Sequence, residues 1–213
     1  MNSDTGEGRF AGMYDLAFNP VLKHVHQRIV QLMKNYECQS IVDLGSGTGA
    51  LARVLTKNGF SVTGIDASSQ MIAVAREKSP DSIRFIHADI NSINHADMMF
   101  DAANISLVLH PNSTETITKI VMKAKNLIEP DGVLFITDYG KGTGFSGRMA
   151  SGLMQMIESF TRDDHRRNYF SFMKLKGIHM FSSWSELSVI ENYHYFHGAL
   201  QTIIVKFEKN LKQ

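Results

Sequence analysis

Read for the alternation of apolar and polar positions, the chain divides into short β-branched runs separated by segments of helical spacing. The runs are SIVDL (40–44), SVTGID (61–66), IRFIHAD (83–89), FDAANIS (100–106) and GVLFITD (132–138). Between them, GALARVLTKNG, SSQMIAVAREKS and TETITKIVMKAKNLIEP repeat apolar residues at three- and four-residue intervals. Strands alternating with helices of that length predict βαβ crossovers, and so an α/β fold with a parallel sheet covered on both faces. Ser68 or Ser69 is expected to cap the helix carrying Met71 and Ala75, and Pro130 with Gly132 to end the helix before the fifth strand. Ahead of the first strand, Val21, Val25, Ile29, Leu32 and Met33 form one stripe, the mark of an amphipathic helix packed on the sheet.

The rhythm stops over residues 140–186, a glycine-rich stretch followed by a Met- and Phe-rich one. Two strand-like runs, ELSVIENYHYF and LQTIIVKFEK, then close the pattern with only a tight turn around His197 and Gly198 between them. Such closeness predicts an antiparallel hairpin at the sheet edge. Residues 1–213 are read as a single domain with 140–186 as an insertion.

Composition narrows the function classes. A chain of 213 residues, 43% hydrophobic, suits one well-buried domain. Lys and Arg number 22 against 21 acids, so no reservoir of positive charge awaits a nucleic-acid backbone, and no nucleic-acid partner is expected. The start MNSDTGEGRF has no apolar core behind a basic flank, and no run approaches the roughly 18 apolar residues of a membrane span, so a cytoplasmic protein is expected. One cysteine, Cys38, excludes a disulfide framework and reads as an inert thiol. The histidine pairs in HVH (24–26) and HYFH (194–197) lack acids or cysteines to complete a set, and no required metal is expected.

The chemistry concentrates at IVDLGSGTGA (41–50). Gly45, Gly47 and Ala50, with Asp66 downstream, satisfy the loose G-x-G-x-x-G/A dinucleotide pattern and define a rival reading, a NAD(P)-dependent oxidoreductase. Asp43 and Asp89 argue against it. Directly before the glycine turn, the Asp43 carboxylate would repel a pyrophosphate and suit a cation. S-adenosylmethionine carries a sulfonium and an ammonium beside a ribose diol and an adenine amine. Asp43 would face its methionine end, Asp66 would accept both ribose hydroxyls, and Asp89 would accept from the adenine amine.

These stretches carry a resemblance. VDLGSGTG, VTGIDAS, FIHADI, FDAANISLVLH and PDGVLFITDYG, in that order and spacing, resemble the successive motifs of class I S-adenosylmethionine-dependent methyltransferases. MYDLAFNPVLK places the resemblance nearest the small-molecule branch that includes quinone C-methyltransferases and bacterial phospholipid N-methyltransferases. It implies a Rossmann-like seven-stranded, mostly parallel sheet whose last strand runs antiparallel beside the fifth. It also implies Gly45, Ser46, Gly47 and Gly49 as the cofactor loop, Asp66 and Ala67 at the ribose, and Met71 on the adenine. Asp89 and Ile90 would meet the adenine edge, Ser106 would lie under the methionine portion, and Tyr14 would close over the cofactor.

Methyl transfer is an in-line displacement, and a base is needed only where the acceptor must lose a proton. His110, ending SLVLHP after the fourth strand, is the candidate base, with pocket lining as the alternative. In DDHRRNYFSFMKLKG, His165 and Tyr169 share a helix face at i, i+4 and are candidates for acceptor recognition in a lid. Met154, Met156, Met173, Met180, Phe145, Phe160, Phe170, Phe172 and Phe181 make the insertion rich in adaptable apolar side chains, which suggests a hydrophobic or aromatic small-molecule acceptor. A non-catalytic protein that binds the same cofactor is the second rival. Sequence sets neither the atom methylated nor the oligomeric state.

Overall fold

In the computed structural model, residues 22–93, 98–159 and 163–208 are described. Seven strands are present: β1 (Ser40–Leu44), β2 (Ser61–Asp66), β3 (Arg84–His87), β4 (Phe100–Ser106), β5 (Ile128–Tyr139), β6 (Leu187–Tyr195) and β7 (Leu200–Phe207). They form one sheet in the order β3-β2-β1-β4-β5-β7-β6. The chain divides into two compact units at Ala102 and Ala103.

In the first unit, helix α1 (22–35) buries Val25, Ile29, Leu32 and Met33, the expected stripe, with Val21 outside the described residues. β1 and β2 pair in parallel with Asp43 opposite Gly64, and β2 and β3 pair in parallel with Asp66 opposite His87. The crossovers are α2 (Ala50–Lys57) and α3 (Ser69–Lys78). Ser68 is the residue that caps α3, its Oγ accepting from Met71 N at 3.3 Å. β3 is shorter than the apolar run suggests. Asp89 accepts from Asn91 N and so starts a 3₁₀ turn (Ile90–Ser92) where the strand was expected to continue.

In the second unit, α4 (Thr114–Leu127) is capped by Ser113 and stops at Leu127, three residues before the expected end, with β5 already running at Ile128. Pro130 explains the early switch. It disfavours helical geometry at Glu129, and its missing N–H costs nothing here because pairing with β7 begins only at Leu134. The insertion is helical, α5 (Gly144–Ser159) and α6 (Asp163–Lys174), followed by a 3₁₀ segment (Gly177–Ser183). β7 pairs antiparallel with both β5 and β6, so the terminal hairpin contributes the inner strand β7 and the edge strand β6. Its turn is wider than His197-Gly198 alone: Phe196, His197 and Gly198 all hold positive φ. Among the described residues, no helix is long and apolar enough to cross a membrane.

Candidate active site

The loop after β1 is built by left-handed backbone. Gly45, Gly47 and Gly49 sit at φ 76°, 52° and 74°, values that L side chains adopt reluctantly. Gly45 N and Ser46 N both donate to Ile65 O, at 2.8 and 3.0 Å, which pins the loop to the end of β2. Asp66 then clamps it. One carboxylate oxygen accepts from Gly47 N at 2.8 Å and the other from Ser68 N at 2.8 Å. Asp66 is therefore held by backbone, and each oxygen keeps a further lone pair for a ligand hydroxyl.

The loop glycines do different jobs. A Cβ on Gly47 would meet nothing within 4 Å, so that backbone is bare toward open space. A Cβ on Gly49 would lie 2.7 Å from Phe85 Cζ, so its bareness serves packing against β3. Ser46 Oγ is buried with no hydrogen-bond partner among the described residues, a deficit that a polar ligand atom would remove. Asp43, 3% exposed, lies two residues before the first glycine. A buried carboxylate, an orphan hydroxyl and a bare peptide in one loop fit a cationic amino-acid moiety and suit a pyrophosphate poorly.

The remaining positions are more ordinary. Asp89 is exposed at the end of β3, its Oδ1 engaged by Asn91 N (2.9 Å) and Asn91 Nδ2 (3.2 Å). Ile90 is buried, Met71 half-buried, and Ala67 exposed with its carbonyl 3.0 Å from His87 Nε2. Tyr14 and Phe160 lie outside the described residues. In the second unit Ser106 Oγ accepts from the fully buried Asn104 at 3.1 Å.

Also in the second unit, a buried polar cluster brings together His110, His165 and Tyr169, the three acceptor-side candidates. Their rings lie 5.4 Å (His110–His165) and 6.2 Å (His110–Tyr169) apart, centre to centre. Three residues not anticipated from the sequence organise them. Asp138, fully buried, takes His110 Nδ1 at 2.9 Å and accepts from the backbone N–H groups of Leu109 (2.9 Å) and Tyr139 (2.8 Å). Glu158 on α5 stands between the histidines, Oε1 3.6 Å from His110 Nε2 and Oε2 2.7 Å from His165 Nε2. Tyr139 OH donates to Glu158 Oε1 at 2.8 Å. An acid inside the apolar run FITDY was the available signal for Asp138. Glu158 offered none, since MQMIES reads as ordinary helix.

Burial pushes the Glu158 carboxyl up, but hydrogen bonds from His165 and Tyr139 and the charge interaction with His110 outweigh it and hold the group below the usual range. Burial, reinforced by the Glu158 and Asp138 charges, pushes Tyr169 to about 12, so its phenol keeps its proton at neutral pH. The arginines of α6 face solvent, Arg166 and Arg167 pairing with Asp163 and Asp164. The apolar side chains of the insertion divide: Phe172, Met180 and Phe181 are core, while Phe145, Met149, Leu153 and Met156 line an exposed face of α5.

A parallel sheet with a terminal antiparallel insertion and a clamped glycine loop after its first strand defines a Rossmann-like cofactor-binding protein. Residues 42–136 match the methyltransferase-domain family. A carboxy-S-adenosyl-L-methionine synthase of Desulfotalea psychrophila is 30% identical over 203 residues, covering 90% of this chain and 72% of its own. A malonyl-[acyl-carrier protein] O-methyltransferase of Pectobacterium atrosepticum is 27% identical, covering 64% of this chain and 52% of its own. Among solved structures, the mitomycin 7-O-methyltransferase MmcR superposes with a TM-score of 0.69 at 15% identity, covering 96% of this chain and 59% of its own. The chain belongs to the class I S-adenosylmethionine-dependent methyltransferases, and its cofactor is S-adenosylmethionine. It spans 52% and 58% of the length of two of the curated methyltransferases it matches.

Proposed function

We propose that the chain transfers a methyl group from S-adenosylmethionine to a small hydrophobic or aromatic acceptor in the cytoplasm. The observation that carries this reading is the Asp66-clamped loop, with Ser46 Oγ buried and without a partner and Gly47 open. The bound cofactor supplies an electrophilic methyl on a sulfonium. Ser46 Oγ and Gly47 meet its amino-acid end, with Gly45, Gly49 and Asp43 shaping that end of the site. Asp66 and Ala67 take the ribose, while Met71, Asp89 and Ile90 take the adenine. Tyr14 and Ser106 complete the set by family resemblance. His110, with His165 and Tyr169, forms the acceptor-activating centre, and residues 140–186 of a single domain cover the acceptor. The exposed face of Phe145, Met149, Leu153 and Met156 supports an apolar acceptor. Near balance of 22 basic and 21 acidic residues speaks against nucleic acid.

Calorimetric titration tests the reading. S-adenosylhomocysteine is expected to bind, NADH not to bind, and Asp66→Ala to weaken the first at least about tenfold, a loss of ~1.4 kcal/mol. His110→Ala is expected to keep that affinity and lose turnover in a screen of phenols, quinols and amines. Binding of NADH alone would overturn the proposal. A second reading comes from the relative that spans 90% of the chain, a carboxy-S-adenosyl-L-methionine synthase: a second substrate would donate a carboxyl group to the cofactor's methyl carbon, which would lose a proton. Mass spectrometry of the spent cofactor separates the two, since methyl transfer leaves S-adenosylhomocysteine and the synthase leaves a heavier sulfonium.

A further inference from the structure

We propose that His110, Glu158 and His165 form a binding site for a divalent transition-metal ion such as zinc. This departs from the sequence expectation of no required metal, which looked for close-set histidines. The three ligands here come from the turn after β4, from α5 and from α6, and their donor atoms all lie within 4.8 Å of one another. At metal–ligand distances of about 2.0–2.2 Å, tetrahedral donors stand roughly 3.3–3.6 Å apart. His110 Nε2 and Glu158 Oε1 are 3.6 Å apart, already at that spacing. His165 Nε2 is 2.7 Å from the other carboxylate oxygen, Glu158 Oε2, and its side chain is 33% exposed, which leaves it room to adjust.

The surroundings are those of a ligand set. Asp138 holds His110 Nδ1 at 2.9 Å, which orients the ring and leaves Nε2 for an ion, as carboxylates behind metal-binding histidines do. Tyr139 OH orients the Glu158 carboxylate in the same way. Two acidic side chains, Asp138 and Glu158, face the two imidazoles inside a buried site, a setting in which a cation is well placed. Two nitrogens and a carboxylate oxygen, without thiolate, suit zinc, iron, cobalt or nickel better than magnesium or calcium. Three protein donors leave a coordination position for water or for an acceptor oxygen. The site stands independently of the cofactor reading.

Cobalt(II), a spectroscopic stand-in for zinc, provides the test. Chelator-stripped full-length protein is titrated with cobalt, followed by the visible ligand-field bands and then by displacement with zinc. One equivalent of cobalt is expected to saturate the bands. Asp138→Asn should weaken binding about 10–100-fold, and Glu158→Gln and His165→Ala should abolish the bands. S-adenosylhomocysteine affinity, measured on each variant, shows that the fold is kept and tests the cofactor reading separately. Absence of bands in wild-type protein that still binds S-adenosylhomocysteine would overturn the site and leave the cluster a proton-closed network. So would bands of equal intensity in Glu158→Gln and His165→Ala, which would place the cobalt on other histidines such as His24 and His26.

Discussion

Gly49 holds φ 74°, and a methyl group there would stand 2.7 Å from the ring of Phe85, itself buried. Left-handed backbone in a non-glycine residue costs about 1–2 kcal/mol, and overpacking a core about 1–3 kcal/mol. Gly49→Ala is therefore expected to lower unfolding free energy by ~2–5 kcal/mol in urea titrations, and Phe85→Leu in the same chain to recover part of it. Full recovery would assign the whole loss to the ring; no recovery would assign it to the backbone. The residue scale is also where sequence reading met its limit. Asp66 stood out as an acid at a strand end facing the glycine loop, and it accepts from the backbone of that loop. Glu158 was not legible, and the acid in FITDY marked Asp138 without its role, because the meaning of both is a distance to His110 across 48 and 28 positions of chain, which no local pattern encodes.

At the scale of elements, β1, β2 and β4 begin and end where their apolar runs do, since a strand buried on both faces is written as a continuous apolar stretch. The larger shifts came where a side chain or ring intervened, Asp89 shortening β3 and Pro130 ending α4 early. The antiparallel seam between β5 and β7 contains a pair of hydroxyls inside the core. Thr137 and Thr202 stand opposite each other, hydroxyls 2.7 Å apart and both buried. Thr202→Val leaves the Thr137 hydroxyl without that partner and is expected to cost about 1–3 kcal/mol, whereas changing both to Val should come close to neutral. A double-mutant cycle by chemical denaturation measures the difference; additive losses would mean that the pair contributes packing alone.

Across the molecule, stability depends on pH through a buried histidine of α1. His26 on α1 is 8% exposed, and burial, followed by the charge of Arg53, lowers it from 6.5 to about 4. The folded protein keeps this imidazole neutral while the unfolded chain protonates it below 6.5. The stabilisation is thus whole above pH 6.5 and is lost as pH falls toward 4, by about 3 kcal/mol in all. His26→Leu should flatten that limb of the profile of melting temperature against pH, and an unchanged slope would show that other groups set it.

The position of β7 has a consequence in time as well as in space. β5 ends at Tyr139, and the strand that covers its outer edge starts at Leu200, roughly sixty residues later in synthesis. At about 5–20 residues per second, a ribosome leaves that edge without its neighbour for about 3–12 seconds. During that interval VLFITDY is an open ladder of backbone donors and acceptors, available to any other nascent chain. Chaperone demand during translation should therefore concentrate between the emergence of β5 and that of β7.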